Sequence, residues 1–198
     1  MLRFHVWPGQ IVLLSLIACA PLYALADADP KIDEEEHEHA EVGERVPVKD
    51  VPPAEAVVEI NGLVCSFCAF GAEKSVKRLP FLDSKRFNSG VEVDINKHQM
   101  RLALKQGEAI DYKRLALSLR AAGYEPLDIY LRVSGQVARG GSGMVLSGPG
   151  FEYALEEGDP ELALDESVQL LIRIDGRELH ELSPDSVVRA YPIKRYAS

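Results

Sequence analysis

The sequence has no surplus of basic charge. Its 22 lysines and arginines face 31 aspartates and glutamates, for a net charge of −9. That excludes a general nucleic-acid binder, because phosphate recognition needs Lys and Arg gathered on one face. Three cysteines in 198 residues are too few for a disulfide framework. Long apolar runs are also missing. The longest, IVLLSLIACA over 11–20, is about half the roughly 20 residues needed to span a bilayer. No GxGxxG, GxxxxGK[ST], HExxH or GxSxG occurs, which removes the usual phosphate-cradling and hydrolytic motifs. His180, Ser183 and Asp185 lie near one another only in a turn-rich segment, so no catalysis and no catalytic residue is expected.

What is present falls into four stretches. Residues 1–26 carry Arg3, the short apolar run, Pro21 and then Ala24-Leu25-Ala26. This is the pattern of a secretory signal peptide cut before Asp27. A rival address is Leu16-Ile17-Ala18-Cys19, similar to a bacterial lipoprotein box, in which Cys19 would be lipidated and hold the chain to a membrane. Both place the mature chain outside the cytoplasm, in a periplasm or secreted. Residues 27–54 are read as a disordered acidic linker. Between positions 27 and 55 there are eleven acidic residues against three basic ones, with few apolar side chains to bury. His37 and His39 sit there among carboxylates. They offer a weak auxiliary metal site, or no more than a solvated tether, because a flexible peptide loses much entropy in wrapping an ion.

Residues 55–133 carry helix and strand periodicity. Strands are expected at 55–61, 91–95, 100–104 and 127–133, and helices at 66–79 and 112–122. The strands alternate polar and apolar residues; in the first helix Phe67, Phe70, Val76 and Leu79 form an apolar stripe, with Phe70 in the core. Asp111 is placed to cap the second helix and Gly123 to end it. The order β-α-β-β-α-β predicts a ferredoxin-like α+β domain. Residues 134–198 change texture. Glycine clusters separate short β-rich runs at 131–137, 144–146, 151–155, 168–174 and 187–191, predicting a separate small all-β barrel of OB-like kind.

The chemistry concentrates at Cys65-Ser66-Phe67-Cys68, between the first strand and the first helix. A helix start presents unpaired N–H groups and partial positive charge, both of which favour a thiolate. Two thiolates two residues apart suit a soft, low-coordinate cation, Cu(I) or Hg(II). Structural zinc normally takes four ligands, and the folded part has no second Cys or His pair in sequence.

Gly62-Leu63-Val64-Cys65-Ser66-Phe67-Cys68-Ala69, with Gly123-Tyr124 after the second helix, resembles the heavy-metal-associated domain over about residues 55–133. That family includes copper chaperones and the periplasmic mercury-binding protein. The resemblance implies Cys65 and Cys68 as metal ligands and a metal-transporting or metal-accepting protein as partner, with the chain a monomer. Leu63 stands where the family usually has Met, 80–90 is longer and more charged than usual, and the β-rich C-terminal region is additional. The implied topology brings His98 and Tyr124 to the cysteine end, with Phe67 covering the site. For His98 the alternative is an exposed turn residue, for Tyr124 core packing, and for Phe67 seating the helix. Lys74, Lys77, Arg78, Lys85 and Arg86 give this region local positive charge. Two further functions stay open for the pair: thiol–disulfide exchange, and a structural disulfide in an adaptor whose β-region does the work.

Overall fold

Alternation of apolar residues dictates strands on either side of two short helices, and one long strand decides how they assemble. The computed structural model describes residues 47–197 apart from 142, 157–160 and 184–185. The expected signal peptide, Cys19, His37, His39, Asp185 and most of the expected linker therefore lie outside the described residues. In chain order the elements are β1 (Glu55–Asn61), α1 (Ser66–Val76), β2 (Val91–Asp94), β3 (Gln99–Ala103), α2 (Tyr112–Ala121), β4 (Glu125–Arg139), β5 (Met144–Gly148), β6 (Phe151–Leu155), β7 (Ser167–Asp175), a 3₁₀ turn at Leu179–Glu181, and β8 (Val188–Tyr196).

All eight strands belong to one sheet, in the order β2-β3-β1-β4-β5-β6-β8-β7, and β7 returns to pair with β4. Five strands thus close into a barrel: β4, β5, β6, β8 and β7. The closure includes a parallel pairing of Tyr153–Leu155 with Val188–Ala190. The other three, β1, β3 and β2, extend from the side of β4. This corrects the expected ferredoxin-like domain followed by a separate barrel. The fifteen-residue β4 runs straight through the expected boundary at Val133. On one edge it pairs first with β1 and then with β5; on the other it pairs with β7 from Asp128 to Gln136. It is a stave of the barrel, not the rim of a four-stranded sheet.

Gly135 lies inside β4 just past that boundary. It does not break β4. A Cβ there would lie 2.5 Å from the Ser147 carbonyl oxygen and 3.1 Å from Leu146 Cδ1. The glycine allows β5 to approach closely, a use of glycine inside strands distinct from turn formation.

One core cluster runs through both parts, from Val58, Leu63 and Leu115 to Leu146, Leu170 and Ile172. β1 is buried on both faces, not on one. Its second face packs Val57 against Val51 and Leu171. Val51 is completely buried, and Asp50 accepts hydrogen bonds from Arg132 at 2.7 Å and from the Tyr196 hydroxyl. The end of the segment read as linker is therefore fastened to the sheet. Glu55, 3% exposed, is ion-paired with Arg86 and with Arg101 at 2.8 Å. Burying a carboxylate without such partners would be costly. Arg86, read as part of a positive surface run, is spent on this pairing.

The candidate metal-capture loop

Strand β1 ends at Asn61, and Gly62 turns the chain with φ +99°, a backbone that disfavours side chains. Leu63 then drops into the core, fully buried, while Val64 stays outside. Cys65 follows as the N-cap of α1, with extended backbone (φ −156°, ψ 165°). Its Sγ takes the place usually filled by a Ser or Asp oxygen and accepts the Cys68 N–H at 3.2 Å. The first turn of α1 holds no acidic side chain, so no carboxylate there opposes charge on the sulfur.

Both thiols are free and half-buried. Hydrogen bonding from the Cys68 thiol first, and from the Cys68 N–H second, holds the Cys65 thiol below its ordinary value of 9.0; partial burial opposes this. The arrangement favours a thiolate at Cys65, the form that ligates soft metals or attacks disulfides. Among the described residues no group of three or more His, Cys, Asp or Glu side chains gathers to hold a metal. The donor set in hand is the pair of sulfurs.

Tyr124 reaches this loop. Its hydroxyl donates to the Cys68 carbonyl at 2.9 Å. The ring fits against two glycines: a Cβ on Gly71 would sit 2.6 Å from the hydroxyl oxygen, and one on Gly62 would sit 3.4 Å from Cδ1. Burial first, then the nearby Cys68 and Cys65 sulfurs, raise the Tyr124 hydroxyl above 10.0. The tyrosine thus stays protonated and braces the first turn of α1 from beneath. His98 lies at the same sheet end but enters through its main chain: its carbonyl accepts the Ile60 N–H at 2.9 Å, from a turn with φ +53°.

Phe67 does not seat the helix. It is 87% exposed, and Phe70, expected in the core, is 61% exposed. The buried side of α1 is made by Ala72 and Val76, because the chain's apolar spacing places the two phenylalanines on the solvent side of that pair. Val64, 73% exposed, joins them and was missed by sequence reasoning. The available signal was its place between an inward Leu63 and the capping Cys65. Gly71 was likewise missed, since a glycine inside a helix reads as a flaw until its neighbour is known. The free thiols therefore lie within an open apolar rim.

No family model matches the chain, nor does any curated protein or solved structure.

Proposed function

We propose that this protein captures a soft cation, Cu(I) or Hg(II), through Cys65 and Cys68 and passes it to an acceptor protein. The observation that carries this reading is the N-cap sulfur. Cys65 is a free, accessible thiol whose charge is favoured by its neighbours, one helical turn from a second free thiol. The cation is cargo. Cys65, whose thiolate is favoured, engages it first, and Cys68 supplies the second sulfur, its proton passing to solvent as the bond to the metal forms. Release proceeds by ligand exchange, an incoming thiolate bonding before a resident one leaves. The similarity of residues 62–69 to the heavy-metal-associated loop supports the same assignment.

Anaerobic competition titration of the reduced chain tests it. The expected uptake is about one Cu(I) per chain through two thiolates, lost when Cys65→Ser and Cys68→Ser are combined. Undiminished uptake by the double variant overturns the proposal. The lowered Cys65 thiol also favours a second reading, thiol–disulfide exchange. Rapid disulfide reduction by the metal-free chain, together with weak Cu(I) uptake, would assign the pair to that chemistry instead.

A further inference from the structure

The two oxidation states of copper ask for different ligands. Cu(II) takes nitrogen and oxygen donors in a tetragonal set, whereas Cu(I) takes soft sulfur. Among the described residues no three His, Cys, Asp or Glu side chains gather into a metal-holding group. A Cu(II) ion arriving at the loop therefore meets two sulfurs and no set of harder donors to keep it divalent. The two sulfurs also touch each other. Cys65 Sγ accepts the Cys68 N–H at 3.2 Å, and the Cys68 thiol hydrogen-bonds to it. One cysteine is the N-cap of α1 and the other lies in its first turn. A helical turn rises about 5.4 Å, inside the roughly 7 Å limit on Cα separation for a disulfide. Both thiols are unpaired and half-buried, so an ion can reach them from solvent.

We propose that the cysteine pair reduces Cu(II) itself, so that the protein is charged with Cu(I) from cupric ion. One chain gives two electrons, one from each sulfur. The Cys65–Cys68 bond forms, both thiol protons go to solvent, and two Cu(II) become two Cu(I). Those two ions load two further reduced chains, each through its own pair of sulfurs and with release of two protons. Three reduced chains and two Cu(II) thus yield one disulfide chain, two Cu(I)-loaded chains and six protons. The disulfide returns to two thiols by exchange with a dithiol, which becomes a disulfide in its place. Loading rests on the capture reading above; reduction does not. Hg(II), which thiols do not reduce, takes the two sulfurs with no disulfide formed.

The test is anaerobic and uses the full chain in a Cys19→Ala background, so that every thiol belongs to the pair. Reduced chain is mixed with Cu(II) sulfate at two-thirds of its molar concentration. The electron paramagnetic resonance signal of Cu(II) should vanish. Native mass spectrometry should then find about one third of the chains lighter by two hydrogens and about two thirds carrying one copper, as the electron balance of disulfide formation requires. Peptide mapping should place the new bond between Cys65 and Cys68 of one chain. With Hg(II) in place of Cu(II), no chain should lose hydrogens without gaining metal. Cys68→Ser should discharge the Cu(II) signal at least about tenfold more slowly, because its second sulfur must come from another molecule. A persistent Cu(II) signal with both thiols still open to alkylation overturns the proposal and leaves the Cu(I) titration to judge capture. An oxidised third accompanied by unbound Cu(I) overturns it through the capture step instead. Equal rates in Cys68→Ser overturn it as well, since the electrons would not then come from the pair.

Discussion

At the residue scale, the decisive side chain is a cysteine acting as a helix cap. Capping normally falls to an oxygen that accepts one orphan N–H; here a sulfur does it and gains stability as a thiolate. Because Cys68 is the largest influence on Cys65, removing that thiol must weaken the effect. Iodoacetamide alkylation of Cys65, followed by peptide mass mapping, should rise with pH around a midpoint below 9.0. In Cys68→Ala the midpoint should move upward while the backbone N–H persists. The sign for stability follows from the depressed thiol: its contribution is complete above the unfolded value and fades as pH falls through the folded one. An unchanged midpoint in Cys68→Ala would show that the helix end alone sets the thiol. Asp50 illustrates the same logic away from the site. Hydrogen bonds from Tyr196 and then Arg132 hold its carboxyl down at about 2. The clasp is intact above the ordinary carboxylate range and opens only in strong acid.

At the element scale, α1 is a helix whose buried face is thin and whose position depends on one tyrosine. Ala in place of Gly inside a helix normally gains about 1 kcal/mol. At Gly71 the new methyl would meet the Tyr124 hydroxyl at 2.6 Å. That oxygen is held by its bond to the Cys68 carbonyl, and overpacking of this sort costs about 1–3 kcal/mol. The larger effect wins, so Gly71→Ala should destabilise the chain by about 1 kcal/mol. In a Tyr124→Phe background the nearest remaining ring atom is 3.6 Å away, and the propensity gain of about 1 kcal/mol should emerge. Urea melts of the four chains give the coupling directly; equal effects of Gly71→Ala in both backgrounds would dismiss the brace.

Element by element, much was readable in the sequence. β1 and β6 have the expected limits, and Asp111 caps α2 by accepting the Arg114 N–H at 2.9 Å. Local periodicity and capping chemistry act within a few residues and leave their mark there. The cysteine loop was legible for the same reason: Gly62, Leu63 and Cys65 each do locally what their side chains dictate. Three things were not legible. The solvent-facing Phe67 and Phe70 depend on how α1 is rotated over the sheet. The fit of Tyr124 against Gly71 joins residues more than fifty positions apart. The merging of two expected strands, 127–133 and 131–137, into β4 depends on β5 and β7 arriving from later in the chain.

At the scale of the whole molecule, β4 makes the cysteine-loop half and the barrel one mechanical unit, and a buried tyrosine pair fastens α2 to the barrel wall. Tyr112 on α2 and Tyr153 on β6 share a hydrogen bond of 2.6 Å between their hydroxyls. Their rings meet edge to face at 6.2 Å, and Phe151 stacks on Tyr153 at 5.1 Å. Both are buried, Tyr112 at 6% and Tyr153 at 4% exposure. Burial raises Tyr112 well above 10.0 and lifts Tyr153 to about 12. Groups raised on folding stabilise fully below their unfolded value, and that contribution is lost as pH climbs through the folded one. The chain should therefore lose stability between pH 10 and about 12. Replacing Tyr153 by Phe strands the Tyr112 hydroxyl without its partner, at about 1–3 kcal/mol. Replacing both removes the two polar groups together, and the double variant should be more stable than either single one. It should also lose much of the alkaline transition. Because one core cluster spans the molecule, amide exchange in β1 and in β7 should collapse together as pH rises. Separate collapse of the two strands, or a double variant weaker than both singles, would mean that the tyrosines do not join the two halves.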